Sequence, residues 1–493
     1  MVKNRKNEKI VRCMEVIAVY TILILISYEL DKNNIFHMFC SDDAGAYSMK
    51  NGSIFGIVFE KSYKYRPVSM LFMYFSLKLF PLNIYYLGYY LIALNTVVAT
   101  TIYFILTKER CNRIVSFGVS FLYLVCRFSY YQVTQLYGMM EGICTLFAIW
   151  VVYLLYKYNT ERQDKWFYWS MFFYILVSLS HERYAVLIIP MLWVWGIVFF
   201  DSKDKRHELK KIAVGFVSVF LMAILLKSRT INILVGTAGT DITSSFSMKS
   251  FFEMLMKSIL YLFGVNGDDT YLSLIGWNST PDYIQWMVRF TIIMVFLIFI
   301  CSVLEIIKAD KKTKILYVSN VMLFVLSIGT TIAISSCTIR VEMRWMYFPY
   351  MILVGLLVYL CYFCKERFFY IKKEAFVIYI FGMIVFNMYA RDFYGNLYYW
   401  SDYTMGNRLA AETYKKYGEK LEGSKLILVT DYVIQSESVY TYEDMIDAMF
   451  DNVELTVVNN ESELQKIGNL DNTLVLEWDS VTYNFYEKVN FLN

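Results

Sequence analysis

The chain has 493 residues, of which 57% are hydrophobic, 18% aromatic and 18% charged, with a formal net charge of +4. Soluble domains are about 45–50% apolar and about 25% charged, so this composition excludes an ordinary soluble enzyme. The small positive charge comes in short clusters and argues for membrane topology, against nucleic-acid binding. The nine cysteines form no disulfide framework. Cys13, Cys126, Cys144, Cys301 and Cys361 fall in apolar segments, where cysteine packs as a small hydrophobe. Cys361 and Cys364 form one C-x-x-C with no second half, which is no metal site.

Taken in chain order, the apolar blocks predict a polytopic α-helical membrane protein. The N-terminus is basic at Lys3, Arg5, Lys6 and Lys9 and then apolar. Arg12 and Glu15 interrupt it and no small-residue cleavage site follows, so it reads as a retained signal-anchor helix. Crossing a bilayer takes about 20 apolar residues, which gives about eleven spans: 11–30, 84–106, 113–130, 139–157, 166–180, 183–200, 211–227, 287–307, 315–336, 345–364 and 374–391. The segment 67–80 is short and is stopped by Pro81, and it reads as a helix at the outer interface. With these spans every basic cluster falls on one side: 3–9, 108–113, 157–165, 203–211, 308–314 and 365–373. The positive-inside rule makes that side the cytoplasm. The bacterial plasma (inner) membrane is the expected location.

The outer side then holds loop 31–83, the corner His181-Glu182-Arg183, loop 228–286 and the turn 337–344. Within 228–286, residues 248–263 place Phe251, Phe252, Leu255, Ile259, Leu262 and Phe263 at helical spacing, an amphipathic helix. The transmembrane domain runs over 1–392. From 393 to 493 apolar runs shorten and alternate. KLILVTD (425–431), VELTVV (453–458) and TLVLEW (473–478) predict buried strands, with YTYEDMIDAMFDN and ESELQKIGNL as helices between them. This is a small extracytoplasmic α/β domain with a partly parallel sheet, and no glycine-rich phosphate loop follows its strands.

The charged residues on the outer side are the candidates for chemistry. Asp42 and Asp43 follow the first span directly. Carboxylates at a bilayer surface cost free energy unless used, and one of them suits the role of a general base. Lys61, Lys64 and Arg66, interleaved with Tyr63 and Tyr65, supply positive charge where the topology rule disfavours it. Arginine matches a phosphate with two parallel hydrogen bonds and lysine adds a point charge. His181, Glu182 and Arg183 form a helix-to-helix corner in which Glu182 orients Arg183 or accepts an acceptor hydroxyl. Glu141, near Gln135 and Tyr137, sits at a helix head where the dipole favours a carboxylate. Arg340, Glu342 and Arg344 lie in an outer turn, and Arg344 opposes the dipole of the helix that follows, which suits an anion partner. Asp268-Asp269 is a second acidic pair able to contribute to a divalent cation site, Mg or Mn, without a visible third ligand. His207 belongs to a cytoplasmic cluster.

This layout resembles the GT-C superfamily of polytopic glycosyltransferases over roughly residues 10–391. The resemblance rests on Asp42-Asp43 in the first outer loop with Tyr47 soon after. It rests also on Arg66-Pro67 opening a juxtamembrane helix that ends Leu79-Phe80-Pro81, on Arg344-Trp345-Met346-Tyr347-Phe348-Pro349, and on the charged corner at Glu182. It implies transfer of a sugar from a polyprenyl-phosphate carrier to a glycan or lipid acceptor on the outer face. Asp43 or Asp42 would then be the base, Arg66 and Arg344 would bind donor phosphate, and Tyr47, Lys64, Glu141, His181, Glu182, Arg183 and Arg340 would line the substrates. Asp-Asp replaces the Asp-Glu of protein mannosyltransferases and aminoarabinose transferases, and the Trp-Trp-Asp motif of oligosaccharyltransferases is absent, Trp478-Asp479 being a fragment. Two other readings remain open. A transporter or flippase for a lipid-linked saccharide would place its charges near the bilayer midplane. A non-catalytic envelope assembly protein would tolerate loss of Asp43.

Overall fold

The computed structural model describes residues 2–32, 49, 52–79, 84–129, 132–133, 136, 138–231, 246–266, 276–337, 343–363, 368–397, 413, 416–417, 421, 423–430, 453–479, 481–482 and 484–490. The protein is an α-helical, multi-pass membrane protein. In chain order the helices are α1 (Val2–Asp31), α2 (Ile54–Phe59), α3 (Pro67–Leu79), α4 (Ile84–Lys108), α5 (Arg113–Val125), α6 (Gly138–Glu161) and α7 (Asp164–Ser180). A 3-10 segment over Glu182–Leu187 leads into α8 (Ile188–Asp201), followed by α9 (Lys205–Arg229), α10 (Met248–Leu262), α11 (Asp282–Lys308) and α12 (Lys311–Ser335). A 3-10 turn over Met343–Trp345 precedes α13 (Tyr347–Val358), a π turn follows over Tyr359–Phe363, and α14 is Phe369–Leu397.

Each of the eleven predicted spans coincides with a helical segment, but length and apolarity alone qualify eight of the described segments to cross a membrane. The segments predicted over 113–130, 166–180 and 374–391 are not among the eight. The first of these stops early, at Val125, because the chain turns into a 3-10 segment at Arg127–Ser129 and Arg127 is buried there. The amphipathic stretch forms α10, capped by the Ser247 hydroxyl, which accepts the Ser250 N–H at 3.1 Å.

Burial sorts the bundle into centre and rim. The windows of Gly138–Glu161 and Met343–Tyr362 are 83% and 89% buried, against 11% for Ile10–Asp31 and 17% for Lys205–Arg229. The continuous core therefore runs along α6 and α13, with α4, α5, α7 and α12 around them. In lipid, close packing replaces the hydrophobic effect as the force between helices, so small residues mark the contacts. A Cβ at Gly215 would stand 2.6 Å from Trp195 and one at Gly382 would stand 2.5 Å from Thr291. These glycines let α9 approach α8 and α14 approach α11. Helix starts on the basic face carry side-chain caps: Asn112 accepts the Ile114 N–H at 2.9 Å, and Asp310 accepts those of Lys312 and Thr313 at 3.0 and 3.2 Å.

Beyond α14 the described residues form a four-stranded sheet of β1 (Lys425–Val429), β2 (Glu454–Val458), β3 (Thr473–Asp479) and β4 (Asn484–Asn490), in the order β2-β1-β3-β4. β1 pairs in parallel with both β2 and β3, and β4 closes one edge antiparallel to β3. Helix α15 (Glu461–Leu464) falls within the predicted ESELQKIGNL segment. The stretch 440–452, predicted as a helix, lies outside the described residues. Leu426, Ile427, Leu428, Leu474, Val475 and Leu476 are buried, as the apolar strand sequences require.

Candidate functional site

The site is assembled from helix ends on one face of the bundle. Arg66 immediately precedes α3, Glu141 sits in the first turn of α6, and His181-Glu182-Arg183 joins α7 to the 3-10 segment. Arg344 and Trp345 lie in the turn before α13. Ser69 ties α3 to this corner, its hydroxyl donating to the Ser180 carbonyl at 2.7 Å.

Two arginine–carboxylate pairs form the centre. Arg66 grips Glu182 with two parallel bonds, Nε to Oε2 at 2.7 Å and Nη2 to Oε1 at 2.8 Å. Arg183 donates from Nη2 to Glu141 Oε2 at 2.8 Å. The expected orientation of Arg183 by Glu182 is therefore not made. In a 3-10 segment successive residues stand 120° apart, so adjacent Glu182 and Arg183 face different partners. Glu141 occupies the helix-head position expected of it, and Arg183 is its counter-ion.

The two pairs are not equally satisfied. The Arg183 and Glu141 side chains are 9% and 1% exposed. Arg183 Nη1 and Glu141 Oε1 are both buried without a hydrogen-bond partner among the described residues. A buried, unsatisfied donor on a charged group costs free energy comparable with or above that of a lost neutral hydrogen bond. The guanidinium lies over the Tyr184 ring at 5.2 Å and the Trp345 ring at 5.5 Å, two aromatic contacts that help to fix its orientation.

His181 stands at the corner between α7 and the 3-10 segment. Its Nδ1 accepts the Arg183 N–H at 3.2 Å, which caps the 3-10 segment and leaves any ring proton on Nε2. Burial, reinforced by Arg66, holds the imidazole well below its ordinary pKa. Arg344 is close enough to add to that effect. Lys64 is half-buried within reach of Glu182 and Arg66, and desolvation lowers the pKa of its ammonium.

Of the sequence candidates, Lys64, Arg66, Glu141, His181, Glu182 and Arg183 thus converge, with Arg344 at their edge. Asp42, Asp43, Tyr47, Gln135, Tyr137, Arg340, Glu342, Asp268 and Asp269 lie outside the described residues. Among the described residues no group of three or more His, Cys, Asp or Glu is arranged to hold a metal ion.

A second buried group was not anticipated. Arg127, fully buried, lies 4.1 Å from the Phe128 ring centroid and 4.9 Å from that of Phe386. It donates to Asn387 Oδ1 at 2.8 Å and to the Tyr261 carbonyl at the end of α10. Nearby, Arg391 pairs with Asp31 and donates to the Leu124 carbonyl at 2.7 Å. Charged residues inside apolar flanks were the available signal. No protein-family model matches the chain, and no curated protein sequence matches it.

Proposed function

We propose that the protein is a GT-C-type membrane glycosyltransferase, moving a sugar from a polyprenyl-phosphate carrier to a glycan or lipid acceptor on the extracytoplasmic face. The observation that carries this reading is Arg183. It is a buried guanidinium held in place by Glu141 and two rings, with one N–H that has no partner among the described residues, beside the Arg66–Glu182 pair, whose carboxylate Lys64 also feels. Fixed cations help most where negative charge develops during reaction, as on a departing lipid phosphate. The cluster sits at helix ends, which favours surface chemistry over passage through the midplane.

In the proposed reaction the acceptor oxygen attacks the anomeric carbon, and the bond from that carbon to the phosphate oxygen breaks. The acceptor proton passes to Asp43 or Asp42, and the lipid phosphate leaves with its charge opposed by Arg66, Arg183 and Arg344. A single displacement with one base inverts the anomeric centre.

Mass spectrometry of carrier-linked sugars and surface glycans tests the reading. Cells carrying wild type, no gene, and Asp42→Asn/Asp43→Asn are compared at matched expression. The expected result is that the double variant matches the deletion, with one sugar missing from the glycan and donor lipid accumulating outside. A double variant that matches wild type, with glycolipid trapped inside only in the deletion, would replace the transferase by a transporter.

A further inference from the structure

At the opposite end of α6 a different site is built. Glu141 and Lys157 lie on the same helix roughly 24 Å apart along its axis. Between α4, α5, α6, α12 and α13 is a cavity of about 100 Å³ whose walls are almost wholly apolar, including Ile102, Leu106, Val152, Phe324, Ile352 and Gly355. It extends along roughly 10 Å of α13, from Ile352 to Tyr359. Its polar end is formed by Glu109 and Tyr153.

Above that end stands a collar of lysines around one indole. Lys108, Lys157 and Lys165 place their ammonium groups 5.6, 6.0 and 4.5 Å from the Trp166 ring centroid. Lys108 is also 5.9 Å from the ring of Tyr153, which lines the cavity. The collar contains two carboxylates, and both are engaged. Lys157 pairs with Glu109 at 2.9 Å and with Glu161. Tyr153 donates to Glu109 at 2.8 Å and the Trp166 N–H donates to Glu161 at 2.8 Å. Lys108 and Lys165 have no carboxylate within ion-pair distance among the described residues. Arg110, exposed beside them, holds a left-handed turn with φ 64°, a position that favours glycine.

We infer that this cavity and collar form a binding site for one anionic phospholipid, with a short segment of one acyl chain in the apolar slot and the phosphodiester bridging Lys108 and Lys165. The slot supplies the apolar burial that a free phosphate would not use, and the two lysines supply the charge that a neutral lipid would not need. An amphiphile with one negative charge at its head satisfies both.

Native mass spectrometry of the full-length protein, released from bilayers of equal phosphatidylglycerol and phosphatidylcholine, reads the occupancy. Wild type is expected to retain one phosphatidylglycerol, favoured about tenfold over phosphatidylcholine. Lys108→Gln/Lys165→Gln, both outside the Arg66–Glu182 cluster, is expected to retain the two lipids alike. Gly355→Leu fills the slot, since a Cβ there meets only Phe324 at 3.6 Å. It is expected to lower bound phosphatidylglycerol with both lysines present. Equal retention by wild type, or unchanged phosphatidylglycerol in either variant, overturns the inference. The lysine variant changes only residues at the cavity mouth, so it decides the matter even if Gly355→Leu unfolds the protein.

Discussion

Two buried sets of ion pairs sit at opposite ends of the helix bundle, and they differ in how completely they are satisfied. On the basic face, Glu305 accepts from Lys372 and from the Phe368 N–H at 3.0 Å, and both side chains are almost fully buried. Lys211 likewise donates to Glu208 at 2.7 Å and Asp164 at 2.6 Å, and Tyr158 donates to Glu208 at 2.6 Å. Both Glu305 oxygens and both Glu208 oxygens have a partner. On the other face, Arg183 and Glu141 each keep one buried atom unbonded among the described residues. A closed network holds helices together. An open one keeps the capacity to hold something else, at a cost in stability that function must offset.

The largest test of that contrast is Glu305→Ala. It takes the Glu305 carboxylate away from the buried Lys372 ammonium and is expected to cost about 3–5 kcal/mol, seen as a large drop in unfolding temperature in detergent. Glu305→Leu with Lys372→Met is expected to recover most of the loss, because two apolar side chains need no partners. A single variant as stable as wild type would remove the structural role assigned to this pair.

Arg66→Lys probes the other face. It keeps the charge and loses the two-pronged bond to Glu182. The proposed sugar transfer is expected to fall about 10²-fold, with the unfolding temperature little changed. A fall in rate smaller than threefold, or a stability loss like that of Glu305→Ala, would move Arg66 into the structural class.

The pH dependence of stability gives a smaller effect. His181 has a folded pKa below its unfolded value of about 6.5. Below that value the unfolded chain binds more protons, so stability falls with pH until the folded pKa is reached, by up to roughly 1.4 kcal/mol per pH unit. His181→Asn keeps a side-chain acceptor for the Arg183 N–H and is expected to flatten the unfolding-temperature profile between pH 6.5 and pH 5. An unchanged slope would mean that another group titrates.

The smallest effect belongs to the sheet. Lys488 bridges Glu477 at 2.9 Å and Glu461 at 3.0 Å at a partly exposed edge of the sheet. Glu477→Gln is expected to cost under about 1 kcal/mol, and urea titration of the full chain should show almost no shift. A loss of several kcal/mol would place this pair with the buried ones.

The helices were legible because apolar blocks of the required length leave few other structures in a bilayer. Lys64, Arg66, Glu141, His181, Glu182 and Arg183 were legible because ionisable residues beside spans are costly. Their pairing was not. Arg66 meets Glu182 across 116 residues of sequence, and the rotation of the 3-10 segment that separates Glu182 from Arg183 leaves no mark in composition. Strand β4 was missed because NFYEKVN is half polar and serves as an edge, where one side faces water. Arg127 was missed because aromatic rings and carbonyls, rather than a carboxylate, surround it.

The clasp between Asp31 and Arg391 has a consequence for biosynthesis. It joins the end of the first helix to the last helix, across roughly 360 residues, so a ribosome working at about 5–20 residues per second needs roughly 20–70 s to deliver the second half after the first. For that interval the carboxylate at the end of α1 has no Arg391 to meet. Docking of α14 then closes the bundle in a single late step, and chains truncated before Arg391 are the ones a membrane protease should find open.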